Sequence, residues 1–259
     1  WVTQSVFPAN NPITKYGLQL WAQKVEEMSG GRLKIEVHGE GEIVPAASVL
    51  EAIRDGVLDA GQNTPAFNKG QYPAGDLYYT LPGGVTEFHD LLIWLYGGGV
   101  KELEQEMYGD AIRVFPLLLT PPEQIWTNKP INSIEDFKGL RIRSAGLAME
   151  LFQKLGASVV LLPGGEVVPS LQRGVIDAAE FLGPSVDLAL GLADVAKYRC
   201  GPPIHMSSNI FQLLINPKKF SQLPQDLQMI VEEAAKAATL EGFALLWAED
   251  MEADQKIRS

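Results

Sequence analysis

Apolar residues recur at helical spacing at Leu18, Trp21, Val25 and Met28, and Ser29-Gly30-Gly31 closes the run as glycine after a helix does. This predicts a helix of about four turns ending near Ser29. Leu33, Ile35 and Val37 then alternate with Lys34 and Glu36, the period-two pattern of a half-buried strand. Val49, Leu50, Ile53 and Val57 mark a second helix, and Leu58-Asp59-Ala60-Gly61 reads as the entry to another strand. Alternating helices and strands favour α/β layering with mainly parallel strands.

Comparing the chain with itself adds domain organisation. GEIVP at residues 41–45 returns as GEVVP at 165–169, and each copy is followed by a second match: RDGVLDA at 54–60, then RGVIDA at 173–178. The aspartates, Asp59 and Asp177, are 118 positions apart. Two matches in the same order predict two similar α/β lobes, with a ligand cleft between them at the carboxyl ends of their strands. Pro121-Pro122, after the apolar run 114–119, suits a stiff crossing strand, and 211–215 before Asn216-Pro217 suits the return. The helical stretch 224–247 would then pack back on the first lobe. The predicted lobes are 1–121 with 212–250, and 122–211 with 251–259.

Composition narrows the class. The chain has 259 residues, 46% hydrophobic and 20% charged, and no apolar run approaches the ~20 residues of a membrane-spanning helix. A formal charge of −11 without a Lys/Arg-rich block repels nucleic acid and anionic membranes. An anionic ligand must therefore be held by local cations. One cysteine, Cys200, excludes an internal disulfide and a Cys-based zinc site, and His38, His89 and His205 lie far apart in sequence. The start at Trp1, with no methionine and no leader pattern, suggests a processed chain.

Catalytic signatures are missing: no GxGxxG after a strand, no GxxxxGK[ST], no HExxH and no GxSxG. Gly97-Gly98-Gly99 reads as a helix break. Arg143 is the most suggestive cation, because Leu140 and Ile142 face a core while Arg141 and Arg143 share the other face of a short strand. Residues 147–155 have a helical pattern, which sets Arg143 beside a helix N-terminus whose free N–H groups favour anions. A carboxylate gripped by a bidentate guanidinium is one reading. A surface arginine paired with Glu135 or Asp136 is the other. Glu180-Phe181 ends the strand begun at Val175-Ile176 and is either a ligand contact or a solvated strand end.

Together, VEEMSGGRLKIEV (25–37), EAIRDGVLDAG (51–61), TNKPINSIEDFKGLRIRSAG (127–146) and LQRGVIDAAEF (171–181) resemble the solute-binding subunits of tripartite ATP-independent transporters over nearly the whole chain. The resemblance implies a periplasmic-binding-protein-like α/β fold of two lobes and periplasmic location. It also implies capture of a small organic acid, delivery to membrane subunits driven by an ion gradient, and no catalysis. It makes Arg143, second arginine of the GLRIR-type segment, the partner of the ligand carboxylate. Glu180-Phe181 is similar to the Glu-Trp pair of the branch that binds 2-oxo acids, sometimes with a cation. The chain departs from that branch at 201–206, where GPPIHM offers no carboxylate, and Gln124 is out of register with that branch's glutamine. No metal or cofactor is assigned.

The expected ligand is a monocarboxylate, 2-oxo, 2-hydroxy or amino acid, with an apolar or aromatic tail accepted. Arg143 would anchor it and Glu180 would accept a ligand hydrogen; Phe181, Trp126, Asn63 and Thr64 would supply walls, and Asn209 a polar contact. Two alternatives stand beside this: a two-lobed enzyme using Glu180 as general base, and a chemoreceptor-coupled sensor of the same fold.

Overall fold

The computed structural model describes residues 1–79 and 81–259, with the side chains of all of these except Tyr78 and Tyr79. Among the described residues ten strands are formed: β1 (Val2–Ser5), β2 (Glu36–His38), β3 (Ala60–Asn63), β4 (Arg113–Thr120), β5 (Ile125–Thr127), β6 (Arg141–Arg143), β7 (Ser158–Val160), β8 (Ala178–Ala179), β9 (Tyr198–Cys200) and β10 (Asn209–Ile215). They make two five-stranded sheets, ordered β2-β1-β3-β10-β4 and β7-β6-β8-β5-β9. Neither sheet is wholly parallel. β1 runs parallel to β2 and β3 while β10 is antiparallel to β3; β6 runs parallel to β7 and β8 while β5 is antiparallel to β8 and β9.

The chain divides into two compact units. The first holds Trp1–Tyr79, Glu87–Leu119 and Ile210–Leu246; the second holds Thr80–Thr86, Thr120–Asn209 and Trp247–Ser259. These limits differ from the sequence expectation by two residues at each crossing, after Leu119 and before Ile210, and by a whole segment in two further places. The short segment before Glu87 goes with the second unit, because Gly83 donates its N–H to the Ile204 carbonyl at 2.8 Å and the Ser207 and Ser208 hydroxyls donate to Leu81 and Val85. Residues 247–250 also belong there, since Asp250 accepts from the Ser185 N–H at 2.7 Å.

The repeated sequence segments have unequal fates. GEIVP forms turns ahead of a 3-10 helix at Ala46–Ser48, whereas GEVVP lies inside the helix Gly164–Gln172, so that match carries no shared structure. The second match does. Gly56 and Gly174, at φ +80° and +66°, make left-handed turns after the helices Val49–Arg54 and Gly164–Gln172, a conformation glycine adopts without strain. Asp59 then accepts from the Val2 N–H at 2.8 Å, and Asp177 from the Arg141 N–H at 3.1 Å, each carboxylate holding the first residue of the strand that lies second in its sheet, β1 or β6. Each is also paired with a lysine, Lys219 and Lys129 respectively, at 3.0 Å. Val57, expected on a helix face, is exposed in the turn.

Helical geometry runs from Pro12 to Met28 but includes a π-helical turn at Lys15–Gln19. A Cβ on Gly17 would lie 2.3 Å from Gln62 Nε2; the bare glycine lets that amide in, and it donates to the Ile13 carbonyl at 3.0 Å. Leu18, Trp21 and Val25 are fully buried against Ala234, Ala235 and Ala238 of the helix Gln225–Arg258, while Met28 is exposed. Gly99, at φ +81°, breaks the helices Phe88–Gly97 and Val100–Tyr108. In the second unit Val167, Leu171, Ile176, Ala179, Leu192 and Trp126 form the core. No helix among the described residues is long and apolar enough to cross a membrane.

Asp177 should carry measurable stability. Its carboxylate takes Arg141 Nε at 2.9 Å and Nη2 at 2.8 Å, and hydrogen bonds from Arg141, joined by Lys129, hold its carboxyl far below the usual carboxylate range. Asp177→Asn is expected to cost about 1.5–3 kcal/mol near neutral pH, the worth of a charged hydrogen bond. The folded-state value is depressed, so the contribution is complete above the unfolded value near ~4 and is lost as pH falls through the folded one. Urea midpoints of wild type and variant should therefore converge in acid. A gap that does not narrow at all between pH ~6 and pH ~2 would assign the loss to shape rather than charge.

Candidate functional site

The site grows from the register of two short parallel strands. β6 pairs with β8 so that Arg143 stands opposite Ala179, which puts the next residue, Glu180, beside the arginine. Arg143 is 7% exposed, and its guanidinium is held on three sides. Nε donates to the Leu162 carbonyl at 3.2 Å, Nη1 donates to the Glu180 carbonyl at 2.7 Å and reaches Glu180 Oε2 at 3.5 Å, and the guanidinium carbon lies 4.8 Å from the Phe181 ring centroid. Nη2 makes no hydrogen bond among the described residues. Gly164 admits the ring: a Cβ there would come within 2.8 Å of Phe181 Cζ.

The helix N-terminus reasoned from sequence is present, as Ala145 caps the helix Gly146–Lys154. Its anion is internal. Glu180 Oε1 accepts from the Ala145 N–H at 2.9 Å, so the Glu180 carboxylate bridges the helix start and Arg143. Asp136, weighed as a partner for the arginine, instead accepts from the Asn132 and Ser133 N–H groups.

Around Glu180 the second unit gathers fully buried polar groups. Glu123 accepts a short hydrogen bond from Asn209 Nδ2, which also donates to Thr120 Oγ1 at 3.0 Å. Burial first, then the neighbouring Glu180 carboxylate, raises the Glu123 carboxyl well above its ordinary value. Asp187 accepts from Trp126 Nε1 at 2.6 Å and from the Leu182 N–H at 3.1 Å, and burial pushes its carboxyl up to about 8. Trp126 is thereby fixed in the core, with Arg199 5.6 Å from its ring. Burial lowers the His205 imidazole, keeping it neutral. Among the described residues Glu123 Oε2, Asn209 Oδ1, Ser144 Oγ and both His205 ring nitrogens have no partner. Buried polar atoms are nearly always satisfied by protein or ordered water, so these are groups with hydrogen-bonding capacity left to use.

Of the residues singled out from sequence, Arg143, Glu180, Phe181, Trp126 and Asn209 fall in the second unit. Asn63 and Thr64 lie in the first, at the end of β3. There Asn63 Nδ2 donates to Asn68 Oδ1 at 2.7 Å, and Asn63 Oδ1 and Thr64 Oγ1 are buried without partners. Sequence reasoning passed over Glu123, Asp187, His205 and Ser144. For Glu123 the signal was its place after Pro121-Pro122, but attention fell on Gln124, which sits near Gly201 instead. Among the described residues no three His, Cys, Asp or Glu side chains form a group that could hold a metal ion.

An α/β unit whose strand ends converge on one buried arginine and unsatisfied polar atoms is built to hold a small polar molecule. The chain belongs to the DctP family, bacterial extracellular solute-binding protein family 7, which it matches over residues 3–259. The family comprises transporter solute-binding proteins rather than enzymes, so the alternative with Glu180 as general base is set aside; its location is extracytoplasmic. A monocarboxylate 2-oxoacid-binding periplasmic protein of Nostoc is 34% identical over 229 residues, covering 88% of this chain and 63% of that protein. The chain thus spans somewhat under two thirds of that relative. Two solved transporter solute-binding proteins share the two-lobed fold at 31% identity. That of Pseudoalteromonas atlantica, with bound sodium and pyruvate, has a TM-score of 0.93 and covers 100% of this chain and 78% of its own. That of Colwellia psychrerythraea, with bound calcium and pyruvate, has a TM-score of 0.94 and covers 100% and 79%.

Proposed function

We propose that the protein captures a small 2-oxo monocarboxylate of the pyruvate class, anchored on Arg143, and delivers it to the membrane subunits of a tripartite ATP-independent transporter. The observation that carries this reading is the state of the guanidinium. Nε and Nη1 are tied to main-chain carbonyls while Nη2 is uncommitted, so the arginine is held rigid with one edge to offer. A planar fork fixed in advance loses little freedom when it grips a carboxylate. Asn209 Oδ1 and Ser144 Oγ supply polar contacts, and Phe181 supplies an apolar wall. The ligands of the Nostoc, Pseudoalteromonas and Colwellia relatives support the same class.

The test is thermal unfolding across pyruvate, 2-oxobutyrate, lactate and alanine. A ligand present at about a hundred times its dissociation constant stabilises the folded state by ~2.7 kcal/mol, a shift of several degrees. The 2-oxo acids are expected to give it. If none of them moves the transition, the reading fails. Asn63→Ala and Thr64→Ala, measured in the same way, decide whether the first unit contributes.

A further inference from the structure

Ala179 is the last residue of β8, with Trp126 of β5 opposite it on one side and Arg143 of β6 on the other. Beyond it the chain leaves the sheet as the strap Glu180-Phe181-Leu182, which supplies two of the contacts that hold the guanidinium. The Glu180 carbonyl accepts from Nη1 at 2.7 Å, and the Phe181 ring lies 4.8 Å from the guanidinium carbon. The direction in which Arg143 points therefore depends on where the strap lies. Glu180 still donates its N–H to the Arg143 carbonyl at 3.3 Å, but Leu182 lies beyond the end of the strand.

Asp187 takes up the Leu182 N–H. Its Oδ1 accepts from that N–H at 3.1 Å and its Oδ2 from Trp126 Nε1 at 2.6 Å, so one buried carboxyl joins the far end of the strap to β5. The indole is itself gripped, because Arg199, ion-paired with Asp254, lies 5.6 Å from its ring. Burying an acid is costly unless its oxygens are hydrogen-bonded, and here each oxygen has a donor. An amide could serve only one of the two, since its nitrogen would face the second donor.

We propose that Asp187 is a positioning residue for capture: by joining the Leu182 N–H to Trp126 it holds the 180–182 strap in place, and through the strap it fixes Arg143 in the direction that meets a carboxylate. The inference rests on the carboxylate reading above. Asp187 acts through the Glu180 carbonyl and the Phe181 ring, not on the ligand.

Two readouts test it, and the first needs no ligand. Arg143 Nε–H, buried and bonded to the Leu162 carbonyl at 3.2 Å, should give a nuclear magnetic resonance signal protected from solvent exchange, identified by its loss in Arg143→Lys. In Asp187→Asn it should exchange about tenfold faster, the change expected for one lost hydrogen bond, and calorimetry should show pyruvate held about tenfold less tightly. A second pair of variants avoids the opposed donors and with them any failure to fold. Trp126→Phe/Asp187→Asn keeps an acceptor for the Leu182 N–H, whereas Trp126→Phe/Asp187→Leu, of similar shape, does not. The first of these should hold pyruvate about tenfold more tightly and protect Nε–H by the same factor. An Asp187 that served stability alone would lower the melting temperature of the variants and leave both readouts unchanged wherever they are folded; that result overturns the proposal, as does either change without the other. If wild type binds no pyruvate, the carboxylate reading fails and the role in capture with it, while faster Nε–H exchange in Asp187→Asn would still show that Asp187 holds the strap.

Discussion

Arg143→Ala is expected to abolish measurable capture of pyruvate while leaving a folded protein. Removing one member of a buried ion pair costs ~3–5 kcal/mol, two to nearly four orders of magnitude in dissociation constant. Arg143→Lys should fail almost as badly. The wild-type guanidinium serves the Leu162 carbonyl through Nε and the Glu180 carbonyl through Nη1 while Nη2 stays available. A lysine ammonium is a point charge that cannot hold those two directions and still present a planar edge. Both variants also remove donors from main-chain carbonyls, so near-ultraviolet circular dichroism should accompany calorimetry to show that the core is intact. Wild-type affinity in folded Arg143→Ala would place the site elsewhere.

The second large effect is discrimination by charge. Three other cations of the second unit are engaged: Arg141 and Lys129 on Asp177, and Arg199 on Asp254. A dicarboxylate would bring a second anion towards Glu180 with nothing to receive it. Two unit charges 4 Å apart repel by ~4 kcal/mol at an effective dielectric of 20. Even half of that, after screening, is more than a tenfold loss. Pyruvate is therefore expected to outcompete succinate and malate. Side-by-side titrations measure it. Tighter binding of succinate would mean that one of the engaged arginines is released on binding.

How much of this could be read from the chain alone follows from the range of the interactions. Periodicity located the buried faces of Leu18, Trp21 and Val25, because one helix face needs only local spacing. The π turn within that helix was invisible, since it depends on Gln62 meeting Gly17 from another strand. GEIVP and GEVVP looked alike and fold differently, whereas Asp59 and Asp177 occupy matching positions because each must hold a strand's first N–H. Arg143 and Glu180 were singled out through the motifs that flank them, and the register of β6 and β8 sets them side by side. Glu123 and His205 were not: burial gives them their chemistry, and burial is set by residues distant in sequence. Even the environment of Arg143 was half misread, for the anion at the nearby helix start belongs to the protein itself.

The order of strands in the first sheet bears on how the chain can fold. β3 is flanked on one side by β1 but on the other by β10, and Asn63 meets Gln212 at a separation of 149 positions in the chain. Trp21 finds its partner, the Val231 carbonyl, 210 residues away. The second sheet draws all five strands from 125–200 and closes over much shorter loops. Closing distant contacts is slow, and an unpaired strand edge is an invitation to aggregate. A chain emerging from its N-terminus can complete the second sheet while β3 still presents a bare edge, which stays bare until residue 215 has appeared. Any machinery that moves the protein out of the cytoplasm thus meets a substrate whose first-made part is the last to be finished.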